Sequence, residues 1–282
     1  MQLCKAQQAT GETRVGVLEG AAVRFLRPGP KGALSLSDAL HAADPVSLVR
    51  SLQDAQTVPL AEVNLLPPVD GQEVWAAGVT YKRSREARER ESVGAARFYD
   101  LVYTAARPEL FFKATPRRVL GPGGKIRVRT DSRWTVPEPE VALVVAPDLR
   151  IVGYTIGNDV SARDVEGENP LYLPQAKVYD GACSLGPVVT LAGFLPPLEK
   201  VAVRLTITRG GATAFDGSTT LAAMARSFED LVAWLGRDNT FPEGVILLTG
   251  TGIVPPDDFT LASGDEVAIE VTGIGRLVNV VA

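Results

Sequence analysis

The apolar positions of this chain fall mostly into short runs bounded by Gly, Pro, Asn and Asp, a pattern that predicts strands more often than helices. Residues 13–26, TRVGVLEGAAVRFL, predict a hairpin turning at Glu19-Gly20. Glu73–Val79 and Pro108–Lys113 each predict one strand, and Val201–Thr208 pairs with Ala212–Thr219 across Gly210-Gly211. Val245–Thr249 predicts a buried strand running into Gly250-Thr251-Gly252, and Val267–Thr272 with Arg276–Val281 a last hairpin. Helical signals are fewer. SLSDALHAAD reads as a short helix, and Asp44-Pro45 supplies an N-cap and first-turn proline for another. KRSREARERESVGAARFYDLVYTA carries opposed charges at helical spacing, such as Arg85 with Glu89. Ser227-Phe228-Glu229-Asp230 opens a further helix. Leu65-Leu66-Pro67-Pro68 is a stiff joint, dividing a small α+β domain over 1–66 from a main domain over 67–282.

One stretch breaks the apolar pattern in an informative way. Between Trp134 and Pro187, acidic residues stand in and beside the apolar strands Val141–Ala146 and Val152–Gly157, joined by a turn at Asp148 and Arg150. If that turn centres between Leu149 and Arg150, position 140 faces position 159. Residues two apart share a strand face, and so do directly opposed residues, so Glu138, Glu140 and Asp159 cluster on one side of the hairpin. Carboxylates that close repel and desolvate one another unless some are protonated or a cation sits among them. Oxygen-only ligands suit Mg²⁺ first, then Mn²⁺ or Ca²⁺. The alternative is a set of exposed charges on a strand edge, which Pro137 and Pro139 permit.

Composition narrows the function classes. An apolar fraction of 45% with 22% charged residues is that of an ordinary globular chain, and the formal charge of −4 provides no basic footprint for nucleic acid. No apolar run reaches the length of a membrane span and the N-terminus has no signal-peptide core, so cytoplasmic residence is expected. Cys4 and Cys183 have no C-x-x-C companion, which argues against a disulfide framework or zinc knuckle. His41, the one histidine, lies outside the acidic stretch and reads as structural, leaving no histidine for a triad or a metal there.

Glu138-Pro139-Glu140, Asn158-Asp159-Val160-Ser161-Ala162-Arg163, Lys177 and Cys183-Ser184-Leu185-Gly186-Pro187 resemble the metal-binding core of the fumarylacetoacetate hydrolase superfamily. The insert from Glu166 to Lys177 is similar to its 2-keto-3-deoxy-D-arabinonate dehydratase branch, and the likeness covers about residues 60 to 282. It implies a mixed β-sandwich or β-roll catalytic domain of α+β class with peripheral helices. It also implies Mg²⁺ (Mn²⁺ as substitute) on Glu138, Glu140 and Asp159, and a homodimer or dimer-based tetramer. Hydrolase members carry a histidine in an N-Y-x-x-H motif that helps activate water. Here the motif reads Thr80-Tyr81-Lys82-Arg83-Ser84, which favours a lyase over a hydrolase.

The implied reaction is dehydration of a 2-keto-3-deoxy sugar acid to 2,5-dioxopentanoate through a metal-stabilised enolate. Lys177 is the first choice for proton transfer, with Glu168 or Glu166 as acid or hydroxyl reader. Tyr81, Arg83, Lys113, Arg163, Tyr172, Gln175 and Thr251 are the expected substrate contacts, Thr251 through the Thr249–Gly252 turn. Competing readings are an acylpyruvate hydrolase, a tautomerase, an oxaloacetate decarboxylase, or a sugar-acid-binding protein without catalysis.

Overall fold

The computed structural model describes residues 1–29, 32, 34–82, 103 and 105–282. Strands β1 (Gln2–Gln8), β2 (Thr13–Glu19) and β3 (Ala22–Phe25) form an antiparallel meander. Glu19 pairs with Ala22, so the turn is Gly20-Ala21, one residue later than the sequence pattern placed it. Helix α1 (Leu36–Leu40) starts in a Ser35–Asp38 capping box, and α2 (Pro45–Leu52) starts where the Asp44 carboxylate accepts from the Ser47 N–H. Short β4 (Val58–Pro59) pairs with β3, and β5 (Val63–Leu66) returns to β1.

Past the Pro67-Pro68 joint come β6 (Glu73–Gly78) and β7 (Glu109–Ala114). The charged helix expected between them, and Arg83 with it, falls almost wholly outside the described residues. Three two-residue strands follow, β8 (Val119–Leu120), β9 (Lys125–Ile126) and β10 (Thr135–Val136). The long hairpin is β11 (Pro139–Val145) with β12 (Ile151–Asp159), after which β13 (Ser161–Ala162) pairs with β10. Helices α3 (Arg163–Glu168) and α4 (Leu173–Lys177) carry the insert, and β14 (Cys183–Leu191) re-enters the main sheet. The chain closes with β15 (Ala202–Arg209), β16 (Ala212–Thr220), α5 (Phe228–Leu235), β17 (Val245–Leu248), β18 (Glu266–Val271) and β19 (Gly275–Val281).

The main sheet runs β4-β3-β2-β1-β14-β12-β11-β17-β6-β7, with β5 added to β1 and β8 to β14. A five-stranded sheet, β16-β15-β18-β19-β9, packs on part of it. This is the mixed α+β sandwich that the resemblance implied. Strands β1 to β5 do not stand apart from it, since Gln2 and Leu3 of β1 pair with Thr190 and Val189 of β14.

Strand β11 explains the continuous apolar run in the sequence. Val141, Leu143 and Val145 face a core shared with Val203, Leu205, Ile207, Val267 and Ile269 of the second sheet. Ala142, Val144 and Ala146 face the other way, into a core capped by Leu36, Leu40 and Val49 of α1 and α2. A strand covered on both faces has no polar face to alternate with. Among the described residues no helix is long and apolar enough to cross a membrane.

A buried carboxylate cluster and the pocket beside it

Strand β11 brings Glu138 and Glu140 to one end of the doubly covered sheet, and β12 ends there in Asp159. The register differs from the expected one: Glu140 pairs with Gly157 and Pro139 with Asn158, while the Asp159 N–H donates to the Glu138 carbonyl at 3.0 Å. Position 159 therefore faces 138 rather than 140. A slip of two residues keeps every side chain on its own face, so the cluster survives the miscount. One oxygen from each of Glu138, Glu140 and Asp159 lies within 4.8 Å of the others, and all three residues are buried. The edge-charge alternative is thereby corrected, because these carboxylates are under the surface.

Burial of three carboxylates demands compensation. Lys177, the last residue of α4, donates to Glu138 Oε1 at 3.0 Å, Asp159 Oδ2 at 3.0 Å and Ser161 Oγ at 2.6 Å. The Phe111 ring lies 5.4 Å from the same ammonium. Arg163 Nη2 reaches Glu138 Oε1 at 3.2 Å, and Lys113 pairs with the other Asp159 oxygen. Glu140 is treated differently. Its contact is the Gly250 N–H, at 2.5 Å from Oε2, and among the described residues it has no ion-pair partner. Desolvation first, then the charges of Asp159 and Glu138, push its pKa well above the usual carboxylate range. An all-oxygen, buried donor set, with Glu140 outside the ion pairs that serve the other two, fits a hard divalent cation, with Glu138, Glu140 and Asp159 as the residues that could hold it.

The loop after β17 completes the floor. Thr80 Oγ1 donates to the Thr249 carbonyl at 2.7 Å, and Gly250 adopts φ +87°. A Cβ at Gly250 would run into Thr80 Oγ1, so both the left-handed backbone and the close approach require glycine here. The Thr251 hydroxyl is engaged in its own loop, accepting from the Ile253 N–H at 3.1 Å. Tyr81 is buried, and its phenol pKa is raised by burial and then by the charge of Glu140.

A cleft opens beside the cluster, lined by Gly78, Val79, Glu109, Phe111, Arg163, Glu166 and Thr251 together with Glu138, Asp159 and Lys177. Of the residues expected from sequence, Glu138, Asp159, Lys177, Arg163 and Thr251 line it; Glu140 belongs to the adjoining carboxylate cluster, and Tyr81 is near enough to Glu140 to feel its charge, but neither is in the lining. Lys113 is fully buried behind Asp159 and does not line the cleft. Glu168, Tyr172 and Gln175 are exposed and outside the lining: α3 turns its Arg163 and Glu166 inward, and α4 its Ala176 and Lys177. His41 caps the end of α1 and packs against Gly244, which precedes β17, whereas the cleft lies past the far end of that strand. Both cysteines are buried and free, their thiols pushed up to about 12 by desolvation.

Glu109 was not singled out from the sequence, although a signal existed. In ELFFKA, positions 109, 111 and 113 share one strand face. Glu109 and Phe111 on that face line the cleft, and Lys113 reaches Asp159. Gly78 pairs with Glu109 across the β6–β7 ladder, and a Cβ there would collide with the Glu109 carboxylate.

Comparison with known proteins agrees with this geometry. The model of the fumarylacetoacetate (FAA) hydrolase C-terminal family matches residues 73–282. A probable 2-keto-3-deoxyxylonate dehydratase of Haloferax volcanii is 51% identical over 212 residues, covering 75% of this chain and 73% of the relative. The 2-dehydro-3-deoxy-D-arabinonate dehydratase of Saccharolobus solfataricus is 43% identical over 247 residues, 86% of this chain and 81% of the relative. A solved 2-keto-3-deoxy-D-arabinonate dehydratase, complexed with magnesium and 2,5-dioxopentanoate, superposes with TM-score 0.82 at 36% identity, covering 100% of this chain and 98% of its own.

Proposed function

This chain belongs to the fumarylacetoacetate hydrolase family, and we propose that it is a Mg²⁺-dependent dehydratase converting 2-keto-3-deoxy-D-arabinonate (the 2-keto-3-deoxy acid also reached from xylonate) to 2,5-dioxopentanoate and water. The observation that carries this reading is the buried Glu138–Glu140–Asp159 triad with Lys177 on its rim. Its relatives among dehydratases of such acids supply the substrate class. When bound, Mg²⁺ supplies Lewis-acid polarisation of the 2-keto carboxylate, which makes the C3 proton removable.

The chain's own residues do the rest. Elimination takes one proton from C3 and delivers one to the departing C4 hydroxyl. The unsaturated keto acid then returns a proton to C3 as C5 loses one, giving the C5 enol that becomes the aldehyde, so two proton sites must flank the substrate. Lys177 serves the C3 side as the free amine, the form that can accept a proton, its nitrogen held at a fixed point by Glu138, Asp159 and Ser161. Glu109 and Glu166, the further carboxyl groups lining the cleft among the described residues, serve the C4 side and the sugar hydroxyls. They replace Glu168, Tyr172 and Gln175 in those roles, whose side chains lie outside the cleft. Arg163 neutralises Glu138 and faces the bound carboxylate, and the 250–251 loop offers backbone donors. Residues 1–66 flank the catalytic unit, 67–282. A homodimer or dimer-based tetramer in the cytoplasm completes the proposal.

The deciding experiment incubates the Mg²⁺-loaded protein with 2-keto-3-deoxy-D-arabinonate and, separately, with an acylpyruvate, each with an EDTA control. Formation of 2,5-dioxopentanoate that stops with EDTA is the expected result. Acylpyruvate cleavage alone would overturn it.

A further inference from the structure

Lys113 has the contacts of a residue built for assembly, not for substrate. Its side chain is fully buried on the inner face of β7. The ammonium pairs with Asp159 on the oxygen that Lys177 does not use, and donates to the Val160 carbonyl at 3.0 Å and the Lys177 carbonyl at 2.6 Å. Three donors thus meet three acceptors, two at the end of β12 and one at the end of α4. Lys177 is gripped at both ends, its carbonyl by Lys113 and its ammonium by Ser161.

We infer that Lys113 is a positioning residue that fixes the Lys177 ammonium relative to Asp159, at the cost of tight metal binding. The first half follows from the contacts: the Lys113 ammonium ties the Lys177 carbonyl to Asp159 and to the Val160 carbonyl at the end of β12. A displacement of the proton-transfer group by about 1 Å is enough to cost on the order of 10²-fold in rate. The second half follows from charge. A buried ammonium on a ligand carboxylate repels an incoming cation, and that repulsion is poorly screened away from water. The inference rests on the dehydratase reading for its rate arm only.

The test compares the full-length protein with Lys113→Met and Lys113→Arg. Mn²⁺ affinity is measured by electron paramagnetic resonance titration, and kcat and KM at saturating Mg²⁺. For Lys113→Met the expected result is Mn²⁺ binding at least tenfold tighter, with kcat at least 100-fold lower and KM within threefold. Lys113→Arg keeps the charge but has a planar fork, which cannot serve all three acceptors. It is expected to leave Mn²⁺ affinity within threefold while still lowering kcat, and it carries the test if Lys113→Met does not fold. Weaker Mn²⁺ binding in Lys113→Met would mean a merely structural role, and a raised KM with unchanged kcat a substrate contact. Either overturns the inference. A wild type that binds Mn²⁺ but leaves the sugar acid untouched would sink the dehydratase reading alone, since the Mn²⁺ comparison stands without turnover.

Discussion

Glu138 and Asp159 face each other across the β11–β12 ladder, joined by the Asp159 N–H to Glu138 carbonyl bond at 3.0 Å, and both side chains grip the same Lys177 ammonium. The backbone bond fixes the carboxylate spacing, and the lysine offsets the charge that this spacing concentrates. Glu140, two residues along, has no such counter-charge among the described residues.

That asymmetry makes Glu140 the site's pH-sensitive member. Its folded pKa is raised above the unfolded value, so its contribution to stability is present in acid and is lost as pH rises through the raised value. In EDTA, Glu140→Gln should match the wild type below about pH 4.5 and out-melt it increasingly as pH approaches neutrality. Added Mg²⁺ should raise the wild-type melting temperature and leave the variant unmoved. Thermal scans across pH check both.

Lys177→Met leaves Glu138 and Asp159 each short of a partner. Breaking a buried pair in this way costs about 3–5 kcal/mol. Saturating Mg²⁺ at about 100 times its Kd returns about 2.7 kcal/mol. Chemical denaturation with and without the ion should show this partial recovery, with turnover in saturating Mg²⁺ lowered by about 10²–10⁴-fold.

The three glutamates around the insert separate cleanly. Glu166→Gln and Glu109→Gln should each lower kcat, by about 10²-fold for whichever serves the C4 hydroxyl. Glu168→Gln, on an exposed side chain, should stay within about twofold. Steady-state kinetics on the sugar acid decide.

Gly250→Ala imposes a Cβ on a left-handed backbone, costing about 1–2 kcal/mol before the clash with Thr80 is counted. Because the Gly250 N–H is the contact that holds Glu140, Mg²⁺ affinity should fall together with the melting temperature. Calorimetric titration of Mg²⁺ separates this from a loss of stability alone.

Much of this site was legible in the sequence because strand periodicity is forgiving of even errors. The apolar pattern centres the β11–β12 turn between Leu149 and Arg150, so that 140 faces 159, whereas Val145 pairs with Ile151 and the turn centres on Asp148; the bulge between Val144 and Val145 takes back one residue of the difference. The shift is two residues by the time it reaches the carboxylates, so the face assignment stood. The insert was read less well. Tyr172, Gln175 and Glu168 are attractive by type, yet which way these short helices roll depends on Arg163 and Lys177 finding Glu138, 25 and 39 residues away in the chain. Lys113 is expected as a substrate contact because the resemblance brings its strand to the pocket. The structure buries it behind Asp159, outside the lining of the cleft.

Strand β11 serves two hydrophobic layers and also begins at the carboxylates proposed to hold the ion, and this has an evolutionary consequence. The ligands cannot drift without disturbing both layers, whereas Pro170–Tyr172 and the outer face of α4 are free of the core. Diversification of substrate range within this scaffold should therefore accumulate in the insert and in the β7 residues of the cleft wall, while the ion seat stays in place. A library randomised over 168–175 should retain folded, metal-loaded members at high frequency, and one randomised over 138–145 should retain almost none.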